Sequence, residues 1–139
     1  MTRVLFVCVK NGGKSQMAAG LFRQAVAAGP DPNRWQVDSA GTRAGTQLNA
    51  LSVESLAEVG VDIADQQPRQ LTPELQQAVD LVVTVGEADV DPLPGPRYET
   101  WAVDEPSLRG IEGVERMRLV RDDIARQVED LHRRLTTTA

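Results

Sequence analysis

Residues 4–20 read VLFVCVKNGGKSQMAAG, and the types and spacing within this stretch suit one chemical task. Cys8 is a nucleophile in reserve, Lys14 a fixed cation and Ser15 a hydroxyl, while Gly12 and Gly13 allow positive φ and close backbone approach. The apolar, β-branched run over residues 3–7 predicts a buried strand. Met17, Leu21, Ala25 and Ala28 recur at helical spacing, and Gly29-Pro30 predicts where that helix stops. A loop that leaves a strand and enters a helix aims its amide N–H groups at one point, where the helix dipole adds positive potential; oxyanions bind there. A thiol at the mouth of such a loop has its charged form stabilised by the same donors, so the loop could both hold an oxyanion and attack it. The candidate cradle is Val9, Lys10, Asn11, Gly12, Gly13, Lys14 and Ser15, with the Lys10 side chain read as solvated surface. A lone cysteine at a strand end is ordinarily packing and a GGK turn is ordinarily a turn; the combination across one junction carries the reading.

The nucleotide-binding spelling G-x-x-x-x-G-K-[ST] is nearly met, but Cys8 stands where its first glycine belongs. No strand ends in a plain acidic residue that would hold the metal of a nucleotide-hydrolysing site, and VVTVGEAD is a poor substitute. The loop therefore reads as an oxyanion site with its own nucleophile.

The elements that must position it alternate strand and helix. Residues 35–40 and 98–103 predict strands, and residues 79–85 (VDLVVTV) have the continuous β-branched character of a central strand buried on both faces. Residues 49–59 predict a helix closed by Gly60, and Thr72-Pro73-Glu74 a helix start with a hydroxyl cap and proline at the first helical position. Val114, Met117, Val120, Ile124, Val128, Leu131 and Leu135 form a stripe that packs a last helix on the sheet, with His132 on its exposed part. Trp101 reads as a core or wall residue. The pattern predicts one α/β domain over residues 1–139, a three-layer sandwich with a parallel sheet and ligands at the carboxyl ends of its strands.

Bulk properties narrow the partners. Twenty Asp+Glu against 15 Lys+Arg give a formal charge of −5 and a pI near 4.9, which argues against a nucleic-acid or anionic-membrane surface. No window approaches the roughly 18 to 20 apolar residues of a membrane span, and VLFV is too short for a signal peptide, so a cytoplasmic protein is expected. With Cys8 the one cysteine, neither an internal disulfide nor a cysteine-rich metal site is expected.

Together with the loop, SAGT at 39–42, LNALSVESLAEVGVDI at 48–63, VDLVVTVG at 79–86, Trp101 with Glu105-Pro106, and ERMRLVRD at 115–122 resemble the low-molecular-weight tyrosine phosphatase fold family over nearly the whole chain. KSQMAA resembles its arsenate reductase branch. The resemblance implies a four-stranded parallel sheet, Cys8 as nucleophile or as the group that positions arsenate for direct attack by an external thiol, Ser15 as stabiliser of the departing thiolate, and Asp104 or Glu105 as the acid. It implies arsenate held by the N–H groups of residues 9–15 and by Lys14, with Asn11 contributing its side chain or the hydrogen bonds that fix the loop. Lys14 stands where most of the fold has arginine, which keeps the charge and loses the bidentate fork. Thioredoxin-coupled reductases of this kind carry further cysteines that relay a disulfide outward; here an external thiol must supply electrons. The single-cysteine pattern resembles the mycothiol-dependent reductases, implying no bound cofactor, mycothiol as co-substrate, mycoredoxin as partner and an actinobacterial cytosol. A tyrosine phosphatase is the first alternative, set against Ser107-Leu108 and residues 43–49, which lack the aromatic wall of that activity. A non-catalytic oxyanion-binding module is the second.

Overall fold

The structure is a computed structural model that describes residues 1–137. Four strands, β1 (Thr2–Cys8), β2 (Trp35–Gly41), β3 (Leu81–Val85) and β4 (Arg97–Trp101), form one parallel sheet in the order β2-β1-β3-β4. β1 and β3 thus share the centre. The helices are α1 (Lys14–Ala28), α2 (Ala50–Ala57), α3 (Pro73–Gln77) and α4 (Gly113–Thr137). None of the described helices is long and apolar enough to cross a membrane.

Alternation along β1 divides the core. Val4 and Phe6 face α1 and α4, where Met17, Phe22, Leu56, Met117, Val120 and Ile124 close the larger cluster. Leu5 and Val7 face the other way and meet Val79 and Val82, with Leu71, Leu75 and Tyr98 packed over them. The sandwich is therefore lopsided: three helices cover one face, and the short α3 with its flanking segments covers the other. The apolar stripe of α4 buries as the spacing predicts, with Met117, Val120, Ile124, Val128 and Leu131 all inside. His132 departs from expectation. It is half-buried, its ring 5.8 Å from Phe22 and 5.7 Å from Trp35, and burial holds its pKa below the usual imidazole value.

Local chemistry sets the boundaries. Asn49 caps α2 by accepting from the Ser52 N–H, and Thr72 caps α3 by accepting from the Leu75 N–H. α1 has neither a side-chain cap nor an acidic residue in its first turn, so its leading amides are unspent. The third strand begins at Leu81 rather than residue 79, because Asp80 is engaged with the start of β1: its carboxylate accepts from the Arg3 N–H at 2.8 Å, and its own N–H donates to the Arg3 carbonyl.

β2 ends in register with β1, Cys8 opposite Gly41. A Cβ on Gly41 would stand 2.6 Å from the Val9 carbonyl oxygen and 2.9 Å from the Asn11 nitrogen, both backbone atoms that cannot rotate away. Gly41→Ala is expected to destabilise the protein by about 1–3 kcal/mol and to weaken phosphate binding by displacing the loop. Urea unfolding beside a phosphate titration checks this; a variant matching the wild type in both would contradict it.

Candidate active site

The loop after β1 is held from outside by its carbonyls. The oxygens of Cys8, Val9, Lys10 and Gly12 accept from the amides of Thr42, Arg43, Gly45 and Asn49 at 3.0, 2.8, 3.0 and 2.7 Å. Every peptide bond among the described residues is trans. In a trans peptide the N–H points opposite to the C=O, so these four bonds turn the N–H groups of Val9, Lys10, Asn11 and Gly13 inward. The Asn11 N–H meets Cys8 Sγ at 3.2 Å, where that geometry sends it. Residues 42–49 are thus a clamp on the loop, a role that nothing in their own sequence announces.

Around the sulfur, the side chains form a directed chain of donors. Asn11 Nδ2 donates to Ser15 Oγ at 2.7 Å, and Ser15 Oγ lies 2.9 Å from Cys8 Sγ. With an Oγ lone pair taken by Asn11, the hydroxyl proton is free to point at sulfur. Asn11 is fully buried at φ +54°, a left-handed conformation that asparagine tolerates better than most residues. Its Oδ1 accepts from Gln16 Nε2 at 3.1 Å and from the Arg69 N–H at 2.9 Å. Both ends of the Asn11 amide are therefore spent on fixing the loop. Gln16 and Arg69 were not singled out from the sequence; the Q of KSQMAA was the available signal for the first.

Lys14 runs along Gly86 at the end of β3, where an added Cβ would stand 3.3 Å from its Cδ and 3.4 Å from its Nζ. Gly86 has φ +92°, so both backbone and space require glycine there. No carboxylate among the described residues forms an ion pair with Lys14 or with the exposed Lys10. A cleft of about 360 Å³ opens over the loop, bounded by Cys8, Gly12, Gly13 and Lys14 on one side and Val85 and Glu87 on the other. The predicted cradle and Cys8 are thus brought together.

The two candidate acids sit apart from that cluster and are clamped. Asp104 takes both terminal nitrogens of Arg109, at 2.8 and 3.0 Å. Glu105 takes Arg116 in a two-point pair at 2.6 and 2.8 Å and accepts from Ser107 Oγ at 2.6 Å. The Arg116 guanidinium, aided by Ser107, holds the Glu105 carboxyl far below the usual carboxylate range, and Arg109 lowers Asp104 likewise. Glu105 lines a cleft that also contains Lys14, Gly86 and Trp101, and Asp104 does not, so Glu105 is the better placed of the two. Arg116 was missed as an individual residue, although ERMRLVRD contains it. Trp101 is buried beside Phe6 and contributes to the wall of that cleft. Among the described residues no group of three or more His, Cys, Asp or Glu side chains could hold a metal ion.

Comparison with known proteins agrees with this geometry. The family described as low molecular weight phosphotyrosine protein phosphatase matches residues 3–139. The arsenate reductase of Halalkalibacterium halodurans is 34% identical over 135 residues, covering 91% of each chain. A thioredoxin-dependent arsenate reductase of Corynebacterium glutamicum superposes with a TM-score of 0.80 at 30% identity; it covers all of this chain, which spans 64% of the length of that one. An arsenate reductase solved in its phosphate-binding state superposes with a TM-score of 0.77 at 26% identity, over 94% of this chain and 96% of that one. By its matched length, its parallel sheet and its cysteine loop, the chain belongs to the low molecular weight phosphotyrosine protein phosphatase family.

Proposed function

We propose that the protein is an arsenate reductase that transfers arsenate onto mycothiol, leaving an arseno-thiol adduct for mycoredoxin to reduce. One observation carries the reading: Cys8 is the single thiol of the chain, and its sulfur sits where inward-turned amides converge beside Ser15 and Lys14. The relatives named arsenate reductase support the substrate, and the non-aromatic residues 107–108 and 43–49 argue against an aryl phosphate.

In this mechanism the arsenate oxygens take the amides of Val9, Lys10 and Gly13, and Lys14 offsets their charge. The Cys8 thiolate attacks arsenic, and one oxygen leaves as water after protonation. The mycothiol sulfur then gives up its proton and bonds to arsenic while the Cys8–arsenic bond breaks, with the Ser15 hydroxyl stabilising the departing thiolate. Arsenic remains pentavalent throughout these steps. A thiol of mycoredoxin next attacks the mycothiol sulfur, forming a mixed disulfide and releasing trivalent arsenite. The electron pair thus comes from two external thiols, as a chain with one cysteine requires.

Glu105 is the proton donor in this account. To carry a proton it must part from Arg116, because the paired carboxylate stays ionised.

Purified protein with arsenate, mycothiol and mycoredoxin is expected to release arsenite, to show a Cys8 arsenic adduct in intact-mass spectra when mycothiol is withheld, and to turn over p-nitrophenyl phosphate poorly. Cys8→Ser should abolish the first two; turnover undiminished in that variant would end the proposal. Arg116→Gln should raise the Glu105 pKa toward the ordinary carboxylate range, so the decline of rate with rising pH shifts to higher pH. A pH–rate profile from pH 4 to 8 reads that shift, and superimposable profiles would remove Glu105 from the proton transfer.

A further inference from the structure

A second cleft, of about 310 Å³, lies beside the loop and is lined by the clamp segment, α2 and α4. It shares Lys10, Gly12, Gly13 and Lys14 with the cleft that holds Cys8, so the two adjoin along the same short stretch of backbone. Glycine keeps that partition thin: an added Cβ would stand 3.0 Å from the Gln47 carbonyl oxygen at Gly12, and 3.3 Å from Ser52 Oγ at Gly13.

The lining of this cleft has two characters. Its floor is apolar, from Leu48, Met117 and Val120. Its rim carries polar groups with hydrogen-bonding capacity to spare. Among the described residues the Gln47 side chain has no hydrogen-bond partner, and Asn49 spends Oδ1 on the cap of α2 while its Nδ2 donates to none. No carboxylate lines the cleft, and the Arg116 charge at its wall is already matched by Glu105 at 2.6 Å. Neutral donors and acceptors around an apolar floor suit a sugar or polyol, whose hydroxyl edges and apolar ring faces need both. The charges of Lys10 and Lys14 lie at the edge shared with the Cys8 cleft, where an anionic sulfur would meet them.

We propose that this cleft is the co-substrate subsite, which binds the hydroxyl-rich body of a low-molecular-weight glycoside thiol and presents its sulfur to the oxyanion loop. This rests on the thiol-dependent arsenate reduction proposed above and adds where the thiol binds and what part of it is recognised. Gln47 and Asn49 are its specificity residues. Both meet Gly12 of the cradle through backbone atoms only, and among the described residues neither side chain bonds to the cradle, so discrimination between thiols separates from oxyanion binding.

The test compares mycothiol with N-acetylcysteamine, which has a similar thiol arm and no hydroxyls, in the wild type, Gln47→Ala and Asn49→Ser. Serine keeps an oxygen that can cap α2 and deletes the free amide donor without adding charge, so this variant keeps the fold. Each variant is expected to raise the KM for mycothiol about three- to tenfold, the loss of one neutral hydrogen bond, with the KM for N-acetylcysteamine unchanged. Inhibition by phosphate should be unaltered in Gln47→Ala. A mycothiol KM that stays put in both variants, or rises equally for both thiols, would overturn the subsite while leaving thiol-dependent reduction standing. No arsenite from the wild type with either thiol would overturn both readings, and the wild-type reaction alone distinguishes that case.

Discussion

The site depends on four backbone hydrogen bonds that point away from it. By accepting from Thr42, Arg43, Gly45 and Asn49, the carbonyls of Cys8, Val9, Lys10 and Gly12 fix the orientation of the peptide groups that follow. Because a trans peptide is planar, restraining an oxygen on the outside restrains an N–H on the inside. Preorganisation of this kind is what makes amides effective toward an anion: the dipoles are aligned before the ligand arrives and no reorientation is needed when it does. The uncapped, acid-free start of α1 adds the field of the helix, and Lys14, paired with no carboxylate among the described residues, adds a full charge. In an acidic chain with a formal charge of −5, anion affinity is therefore a local property of one loop.

Asn11 links that scaffold to the nucleophile. Its N–H reaches the sulfur, its side-chain amide reaches the hydroxyl beside the sulfur, and its Oδ1 is anchored by Gln16 and Arg69. Substituting it would loosen the loop and the thiol together, whereas Lys14 contributes charge and Ser15 a hydroxyl beside the sulfur. The lysine where arginine is usual fits the same division of labour. Loop geometry is set by buried amides, so the cation need only supply charge, and Gly86 gives its stem a flat surface to lie on.

The parts of this arrangement that were legible in the sequence are those with a local signature. The strand ending at Cys8, the glycines, the cap residues Asn49 and Thr72 and the apolar stripe of α4 each follow from the chemistry of residues a few positions apart. What escaped notice joins elements remote in sequence. The clamp of residues 42–49 acts through its backbone, which carries no residue code. The Glu105–Arg116 pair joins two separate elements, and charged residues at such spacing are common on any surface. His132 read as exposed because the stripe it flanks was drawn too narrow, with Phe22 and Trp35 reaching it from other elements.

The central claim, that inward-turned loop amides form the oxyanion site, is tested most directly by amide proton and nitrogen shifts in labelled protein titrated with phosphate or arsenate. The account predicts downfield movement of the Val9, Lys10 and Gly13 N–H signals, saturating together at one affinity, with the amides of Thr42, Arg43, Gly45 and Asn49 moving little because they are already bonded. Saturating shifts centred elsewhere, with the loop amides unmoved, would contradict it.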